Sequence, residues 1–252
     1  MNLVEIRDFH KTYRLGIERG LKVVEAVKSI TLDVPEGSLY GFIGPNGAGK
    51  TTTIKTLMGL IRPTSGTVLV MGKNPMDPAS RKDVGFQPEQ PYFYDYLTGL
   101  ELLRYYGRLS GIRGPDLSAR IEEACALCKV ETGWLDRRLR TYSKGMSQRL
   151  GLAQSVIARP RLLVLDEPMS GLDPMGRRDV RLAMQELHGR GTTIFYSSHV
   201  LSDVEEICTH AAMVVRGTLR LSGTLDRILS NPDDPGHRSK LEDLLAKEVE
   251  LA

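Results

Sequence analysis

Residues 44–51 read Gly-Pro-Asn-Gly-Ala-Gly-Lys-Thr and match the phosphate-loop pattern GxxxxGK[S/T] at every fixed position. This pattern requires a strand before it and a helix after it. Both are predicted, because an apolar segment covers Leu39–Ile43 and a helical pattern covers Thr52–Leu60. Glycines in such a loop let backbone N–H groups face a phosphate, and the positive end of the following helix adds to the attraction. The stretch therefore predicts a nucleotide-binding α/β fold.

The residue types of the loop indicate a nucleotide as the ligand and Mg²⁺ as the metal. Lys50 supplies a mobile positive charge to the β- and γ-phosphates, Thr51 a hydroxyl to Mg²⁺, and Thr52 a further phosphate contact. The candidate ATP-binding residues of the loop are Gly44, Pro45, Asn46, Gly47, Ala48, Gly49, Lys50, Thr51 and Thr52.

Two acids follow a second apolar segment. The run Leu162–Leu165 leads directly into Asp166 and Glu167. At the end of a strand, Asp166 is expected to hold Mg²⁺ through water, while Glu167 faces elsewhere, toward the attacking water. Adjacent acids commonly form a solvated turn, but the buried aliphatic run and the phosphate loop favour the catalytic interpretation.

Short apolar segments alternate with helical patterns along most of the chain, which is typical of an α/β protein. The predicted strands are Leu3–Ile6, Ser29–Val34, Leu39–Ile43, Thr67–Val70, Leu162–Leu165 and Thr192–Tyr196. Between about Pro91 and Tyr142 strand signals stop and helix signals continue, so we expect an inserted helical subdomain.

The predicted fold is a P-loop NTPase with a mixed sheet and this helical insertion. Its division is a RecA-like ATP-binding core with an N-terminal β subdomain at 1–90 and 143–229, a helical subdomain at 91–142, and a linker with a C-terminal helix at 230–252. The turn-rich linker is Asn231–Gly236, and Leu241, Leu244, Leu245 and Val249 share one face of the last helix.

A phosphate loop alone leaves GTPases, kinases and other ATPases open. The segment Tyr142–Arg149, Tyr-Ser-Lys-Gly-Met-Ser-Gln-Arg, resembles the signature sequence of ATP-binding cassette (ABC) proteins, LSGGQ in its common form. Ser170–Asp173 resembles the D-loop of that family, and His199 matches its switch histidine. The motifs cover about residues 40–200, so the chain is identified as resembling the ATPase subunit of an ABC transporter.

The resemblance implies a symmetric dimer in which two head-to-tail chains enclose two ATP molecules. The signature residues Ser143, Lys144, Gly145 and Met146 would contact the ATP of the partner, which is a second copy or a homologous ATPase subunit. A separate integral-membrane permease would be driven from the cytoplasmic face of the cell membrane.

The same resemblance assigns further site residues. Glu167 and His199 would be catalytic, with His199 contacting the γ-phosphate, and Asp173 would act in the D-loop. Tyr13 lies where the family places an aromatic side chain that stacks on adenine, although an aromatic residue near an N-terminal strand can instead be part of the core.

Two departures from the common motifs matter. Tyr142, Lys144 and Met146 replace Leu, Gly and Gln, a form similar to the cassettes of bacterial export-type transporters. In the Q-loop, alignment by the flanking residues places Glu89 at the position that touches the metal, with Gln87 as the alternative; a carboxylate still suits Mg²⁺. The aromatic residues Tyr92, Phe93, Tyr94 and Tyr96 then follow, either as a docking site for the permease or as core.

Composition narrows the function classes. The chain has 252 residues, with 34 basic and 31 acidic ones and a net charge of +3, so charge alone does not support nucleic acid as a partner. Its apolar runs are far shorter than the ~18 residues of a membrane helix. No secretory signal is visible, so the cytoplasm is the expected compartment. Cys125 and Cys128 form a CxxC, but helical spacing places both on an apolar face.

Three alternatives remain at this point. An ABC cassette can serve a nucleic-acid or ribosome machine, but those resemble paired or coiled-coil-split cassettes. A P-loop transferase would use Glu167 to activate a substrate hydroxyl, which leaves the signature and D-loop without a role. A cassette whose membrane partner transmits force without moving cargo is not separable from an exporter by sequence.

Overall fold

The computed structural model describes residues 1–17, 20–230 and 239–251. Its strands are β1 Asn2–Ile17, β2 Gly20–Pro35, β3 Leu39–Ile43, β4 Ser65–Val70, β5 Val84–Gln87, β6 Leu162–Leu165, β7 Thr193–Ser198, β8 His210–Val215 and β9 Thr218–Thr224. Its α-helices are α1 Lys50–Leu57, α2 Gly99–Leu109, α3 Gly114–Leu127, α4 Thr132–Leu135, α5 Lys144–Val156, α6 Pro174–Gly189, α7 Leu201–Ile207, α8 Leu225–Leu229 and α9 Leu241–Glu250. Short 3₁₀ helices cover Pro78–Arg81 and Leu139–Thr141.

The chain divides into two compact units. One combines Met1–Lys82 with Phe195–Ala252, and the other is Asp83–Ile194. The sequence-based boundaries, which place a helical subdomain at 91–142, follow from strand and helix signals and not from contacts within the fold. They stay a prediction.

In the first unit, β2, β1 and β4 form an antiparallel sheet in that order. The pattern of β1 explains its two faces, because Val4 and Ile6 are fully buried while Glu5 and Arg7 alternate with them. Val4 is paired with Val34 on one side and Val70 on the other. The predicted strands Leu3–Ile6 and Ser29–Val34 are therefore parts of two longer strands.

The first unit also contains the strand that precedes the phosphate loop. All five residues of β3 are buried, and β3 pairs in parallel with β8, which pairs antiparallel with β9. A continuous apolar run of this kind is typical of a strand covered on both faces. Parallel and antiparallel pairs together make a mixed sheet, so the predicted α/β class with a mixed sheet is confirmed.

In the second unit, β5 pairs in parallel with the fully buried β6, with Phe86 opposite Val164. The sequence did not predict β5, because Gly85 interrupts its short apolar run. The structure shows why a glycine stands there: a Cβ atom at Gly85 would collide with the carbonyl oxygen of Ser155. This close approach seats β5 against the C-terminal part of α5.

The helices of the second unit share a small core. Leu102 and Leu103 of α2 and Leu150 of α5 are fully buried. A capping box begins α2, in which Thr98 Oγ1 accepts from the N–H of Glu101 at 3.2 Å and the Glu101 carboxylate accepts from the N–H of Thr98 at 2.8 Å.

The predicted C-terminal helix is confirmed as α9. Its first residue, Leu241, is fully buried, and the N–H of Leu241 donates to Glu205 at 2.5 Å. Leu244 and Leu245 are half-buried and Val249 is exposed, so the burial of the predicted apolar face declines along the helix. The predicted linker Asn231–Gly236 lies outside the described residues. Among the described helices, none combines the length and apolar character that crossing a bilayer requires.

Candidate functional site

The phosphate loop has the strand-loop-helix geometry that its motif requires. Strand β3 ends at Ile43, and α1 begins at Lys50 after Gly49, whose φ of 105° favours glycine. The helix thus begins and ends slightly earlier than predicted. A Cβ atom at Gly49 would lie 2.6 Å from the carbonyl oxygen of Ala26, and one at Gly44 would collide with that of Val214. These glycines therefore let the loop lie directly against neighbouring backbone.

Lys50 lies inside this loop. Its residue is only 6% exposed, and Nζ donates to the carbonyl oxygens of Gly44 at 2.7 Å and Pro45 at 3.3 Å. Asn46 and Gly47, at the tip of the loop, are exposed, while Thr51 and Thr52 are half-buried. A cation held over an exposed, glycine-rich turn at a helix start is suited to bind a phosphate chain.

Tyr13 and His199 belong to the same unit as the loop. Tyr13 lies half-buried on β1 with Lys11 Nζ 5.1 Å from the centre of its ring, so it is outside the main core. His199 is exposed directly after β7. That strand is held by Phe195, whose ring lies 5.3 Å from that of Phe42. Both candidate residues can therefore meet a ligand from solvent.

The two candidate acids lie at the end of β6 in the second unit. Asp166 and Glu167 are 3% and 8% exposed, and the N–H of Asp166 donates to the carbonyl oxygen of Gln87 at 2.9 Å. Glu167 has a φ of 49°, in the left-handed region that non-glycine residues rarely adopt. Such backbone strain in a buried acid concentrates at functional positions.

Ligand chemistry is compatible with Mg²⁺. Thr51 offers a hydroxyl oxygen and Asp166 and Glu89 offer carboxylate oxygens, which are the hard ligands that Mg²⁺ prefers. Within the described ranges, no cluster of three or more His, Cys, Asp or Glu side chains is placed to hold a metal ion.

The two Q-loop candidates differ in burial. Gln87 is 1% exposed, and its Nε2 donates to Gln148 Oε1 at 2.5 Å and to the Gln148 carbonyl oxygen at 3.0 Å. Gln148 Nε2 in turn donates to the carbonyl oxygen of Glu89 at 2.6 Å. Glu89 itself is exposed. The side chain of Gln87 is thus enclosed in a buried network, whereas that of Glu89 is accessible.

The signature segment forms the start of α5. Ser143 is the N-cap residue, with Oγ accepting from the N–H of Met146 at 3.2 Å, and Ser143 and Lys144 are both exposed. The departure at Tyr142 has a structural reason, because its hydroxyl donates to the carbonyl oxygen of Trp134 at 2.7 Å. Burial raises the pKa of Tyr142 to about 12, so this hydroxyl keeps its proton.

The D-loop contacts the signature of the same chain. Asp173 caps α6 by accepting from the N–H of Gly176 at 3.0 Å. Gly171 has a φ of 69°, and a Cβ atom there would lie 2.8 Å from Cε of Lys144 and would collide with its Nζ. The family resemblance implies that Lys144 contacts the ATP of the partner. The structure places its amine beside the D-loop backbone.

The candidate residues therefore fall in both units. The phosphate loop, Tyr13 and His199 belong to the first unit. Asp166, Glu167, Glu89, the signature and the D-loop belong to the second, where the structure brings signature and D-loop together. Gln148 is the residue that sequence reasoning missed; a polar residue within the buried face of α5 was the available signal.

The CxxC pair is core, as predicted. Cys125 and Cys128 are both buried with free thiols. Burial raises the pKa of Cys125 to about 11 and that of Cys128 further, which keeps both thiols protonated near neutral pH.

Three of the four aromatic residues after the Q-loop are exposed, whereas Phe93 is half-buried. Tyr92, Tyr94 and Tyr96 are 88%, 54% and 64% exposed, and the rings of Tyr94 and Tyr96 lie 5.7 Å apart. The alternative that these tyrosines are core is wrong. We call Tyr92, Tyr94 and Tyr96 the tyrosine patch.

Comparison with known proteins identifies what the chain resembles. The sequence model of the family described as ABC transporter matches residues 27–170. An uncharacterized ABC transporter ATP-binding protein of Synechocystis sp. is 44% identical over 92% of this chain and 66% of its own length. The bacitracin transport ATP-binding protein BcrA of Bacillus licheniformis is 39% identical over 77% of this chain and 63% of its own length. The chain thus spans about two thirds of these relatives.

Solved structures agree in fold. One described as the ATP binding subunit of an ABC transporter superposes with a TM-score of 0.83 at 29% identity, covering 98% of this chain and 99% of the other. A dimeric cassette bound to ADP and Pi has a TM-score of 0.80 at 22% identity, covering 88% and 98%. The predicted P-loop NTPase fold is confirmed by these likenesses.

Proposed function

Because the chain belongs to the ABC transporter family and is an ATP-binding ATPase of that family, we propose that it works as a dimer that powers a separate membrane permease. The observation that carries the proposal is that one chain contains both an intact phosphate loop around Lys50 and an exposed signature segment capped by Ser143. A phosphate loop alone would support many ATPases. The signature adds a second anion-binding helix start, for which a partner's ATP is the family's ligand.

ATP binding is assigned to the first unit. Lys50 and the loop backbone would bind the β- and γ-phosphates, with Thr52 as a further contact, and Tyr13 would stack on adenine. The half-buried ring of Tyr13 supports this role, since a fully enclosed ring would have no face to offer. Thr51, Asp166 and Glu89 would hold Mg²⁺, which when bound neutralises phosphate charge.

Hydrolysis is assigned to Glu167. Its carboxylate would accept a proton from the attacking water as the water oxygen bonds to the γ-phosphorus and the bond from that phosphorus to the β–γ bridging oxygen breaks. The products are ADP and inorganic phosphate. His199 would donate a hydrogen bond to the γ-phosphate, and its exposure after β7 supports that role.

Dimerisation is assigned to the signature and the D-loop. Ser143, Lys144, Gly145 and Met146 would contact the ATP bound by the partner, and Asp173 would lie at the same interface. Support comes from the exposure of Ser143 and Lys144, which would otherwise present a helix start to solvent without a ligand. The partner would be a second copy or a homologous ATPase subunit, related by a two-fold axis.

Binding of the permease is assigned to the tyrosine patch. Exposed aromatic side chains in a cluster are enriched at protein interfaces, and this patch follows the Q-loop residue Glu89 closely in sequence. The chain would then lie at the cytoplasmic face of the cell membrane. Export is the proposed direction, supported by the form of the signature at Tyr142, Lys144 and Met146.

Co-purification tests this proposal. The tagged Glu167→Gln variant is expressed in its native host, supplied with ATP and recovered from detergent-solubilised membranes. We expect a multi-span membrane protein to be recovered, and to be lost when Tyr92 and Tyr94 are also changed to Ser. The matched control replaces the exposed Tyr105 instead and should retain the partner. Recovery of only soluble proteins or nucleic acid would overturn the transport assignment and leave the ATPase standing.

A further inference from the structure

The second unit contains a cavity of about 390 Å³ that the ATPase reaction does not use. It lies among α3, the end of α5 and the end of α6, and none of its lining residues belongs to the Q-loop, signature or D-loop. Its volume falls within the ~300–1,000 Å³ of small-molecule sites. Part of the lining is apolar, including Ala124, Leu127 and Val156.

The charged lining of this cavity is unbalanced. Its lining includes the arginines Arg120, Arg159, Arg161 and Arg190, with Glu123 as the acid among them. Such an excess of guanidinium groups at a cavity attracts anions, and each guanidinium offers a planar set of donors that matches a carboxylate or phosphate.

Both carboxylate oxygens of Glu123 accept hydrogen bonds from neighbouring arginines. One carboxylate oxygen accepts from Nε and Nη2 of Arg159 at 3.1 and 2.6 Å, and the other accepts from Nη1 of Arg190 at 2.8 Å. The hydrogen bond from Arg159 lowers the pKa of Glu123, so this carboxylate stays charged. Arg190 also bonds Glu186 at 2.5 Å. The hydrogen bonds of these two acids therefore go to Arg159 and Arg190, while Arg120 contributes its nearby positive charge to Glu123.

Arg120 is left with an unmet donor. Its Nη1 is buried and has no hydrogen-bond partner within the described part of the chain. A buried guanidinium N–H without an acceptor is unfavourable, because it has lost its hydrogen bond to water and forms no hydrogen bond within the protein. Arg120 as a residue also lines the cavity, so an oxyanion bound there would place its negative charge beside this guanidinium.

We infer that this cavity binds a small organic oxyanion, a carboxylate or phosphate group carried on a short apolar body. The oxyanion accepts from Arg120 beside the Arg159–Glu123–Arg190 cluster, and the apolar body packs against Ala124, Leu127 and Val156. This site is separate from ATP binding and does not depend on the proposed transport function.

Titration with three matched probes tests the site. Benzoate, phenyl phosphate and neutral phenol are added to the full chain, with saturating ADP to occupy the phosphate loop, while the methyl resonances of Ala124, Leu127 and Val156 are followed by NMR. We expect saturable shifts with at least one of the two anions, at a dissociation constant below about 1 mM, and none with phenol. The tighter of the two anions identifies the source as carboxylate or phosphate.

Variants decide whether Arg120 carries the binding. Arg120→Gln should weaken the anion by roughly tenfold or more, the effect of one charge-assisted hydrogen bond. Arg108→Gln, an exposed arginine on α2, should leave the affinity unchanged. If Arg120→Gln melts early, Arg120→Lys keeps the charge and should still bind more weakly than wild type. No saturable shift with either anion, equal binding of phenol, or an unchanged affinity in folded Arg120 variants would overturn the inference.

Discussion

The side-chain amides of Gln87 and Gln148 are joined by a 2.5 Å hydrogen bond from Nε2 of Gln87 to Oε1 of Gln148. Gln87 ends β5, and its carbonyl oxygen accepts from the N–H of Asp166. Gln148 lies on α5, the helix that begins with the signature. One buried contact thus links the signature helix to the strand whose last carbonyl oxygen bonds the backbone of Asp166, the proposed metal ligand, within the second unit.

Replacing Gln87 by Leu should destabilise the fold. The substitution removes the donor to the buried Oε1 and carbonyl oxygen of Gln148, a loss of roughly 1–3 kcal/mol of unfolding free energy. Part of this loss is offset because the buried Oε1 of Gln87, which has no hydrogen-bond partner in the described part of the chain, is removed as well. Urea denaturation followed by circular dichroism measures it. Gln90→Leu, at the neighbouring exposed position, is the control and should change the unfolding free energy little. Equal stability of the two variants would mean that the network contributes nothing.

Glu89→Ala should weaken the binding of Mg²⁺ and leave the free energy of unfolding nearly unchanged. If Glu89 is a Q-loop ligand, its loss raises the free Mg²⁺ needed for half-maximal ATPase activity by about tenfold or more. The wild-type Gln87 side chain is bonded to Gln148, so Gln87→Leu should leave that Mg²⁺ requirement unchanged. A Mg²⁺ requirement that shifts only in the Gln87 variant would transfer the role to Gln87.

Glu167→Gln should separate binding from turnover. Removing the proton acceptor while keeping the shape of the side chain slows hydrolysis by roughly two to four orders of magnitude, the usual contribution of a positioned base. ATP affinity, measured by fluorescent-analogue competition, should stay near that of wild type. The exposed Glu131 offers the control substitution. Turnover within a few-fold of wild type would remove Glu167 from the reaction.

The buried thiols predict a pH dependence of stability. Burial raises the pKa of Cys125 to about 11 and that of Cys208 to about 12, above the ~8.5 of an unfolded thiol. Their neutral forms therefore stabilise the fold fully below about pH 8.5, and this contribution declines as pH rises toward 11. Unfolding free energies of wild type and Cys125→Ala should converge over that window. A constant difference would show that Cys125 ionises as freely in the fold as in the unfolded chain.

Local patterns predicted the parts of the fold that depend on nearby residues. The phosphate loop, β3, α1 and β6 follow from motif and hydropathy over short windows, and the structure contains them with shifts of a few residues at most. The strand β5 was missed because Gly85, read locally, indicates a turn. Its presence in a strand depends on the carbonyl of Ser155, far along the chain.

Side-chain positions within the site were less predictable. Gln87 and Gln148 are 61 residues apart in sequence, and no spacing rule connects them. The contact of Lys144 with Gly171 likewise depends on how α5 meets the D-loop. Alignment by flanking residues favoured Glu89 over Gln87, but the burial of Gln87 and the exposure of Glu89 depend on the folded packing.

Sedimentation velocity of the Glu167→Gln variant, with and without ATP and Mg²⁺, tests the central claim most directly. We predict a monomer without nucleotide and a dimer with it, and a Ser143→Arg substitution should restore the monomer while ATP still binds. A variant that binds ATP at saturation and remains monomeric would contradict an ATP-enclosing dimer.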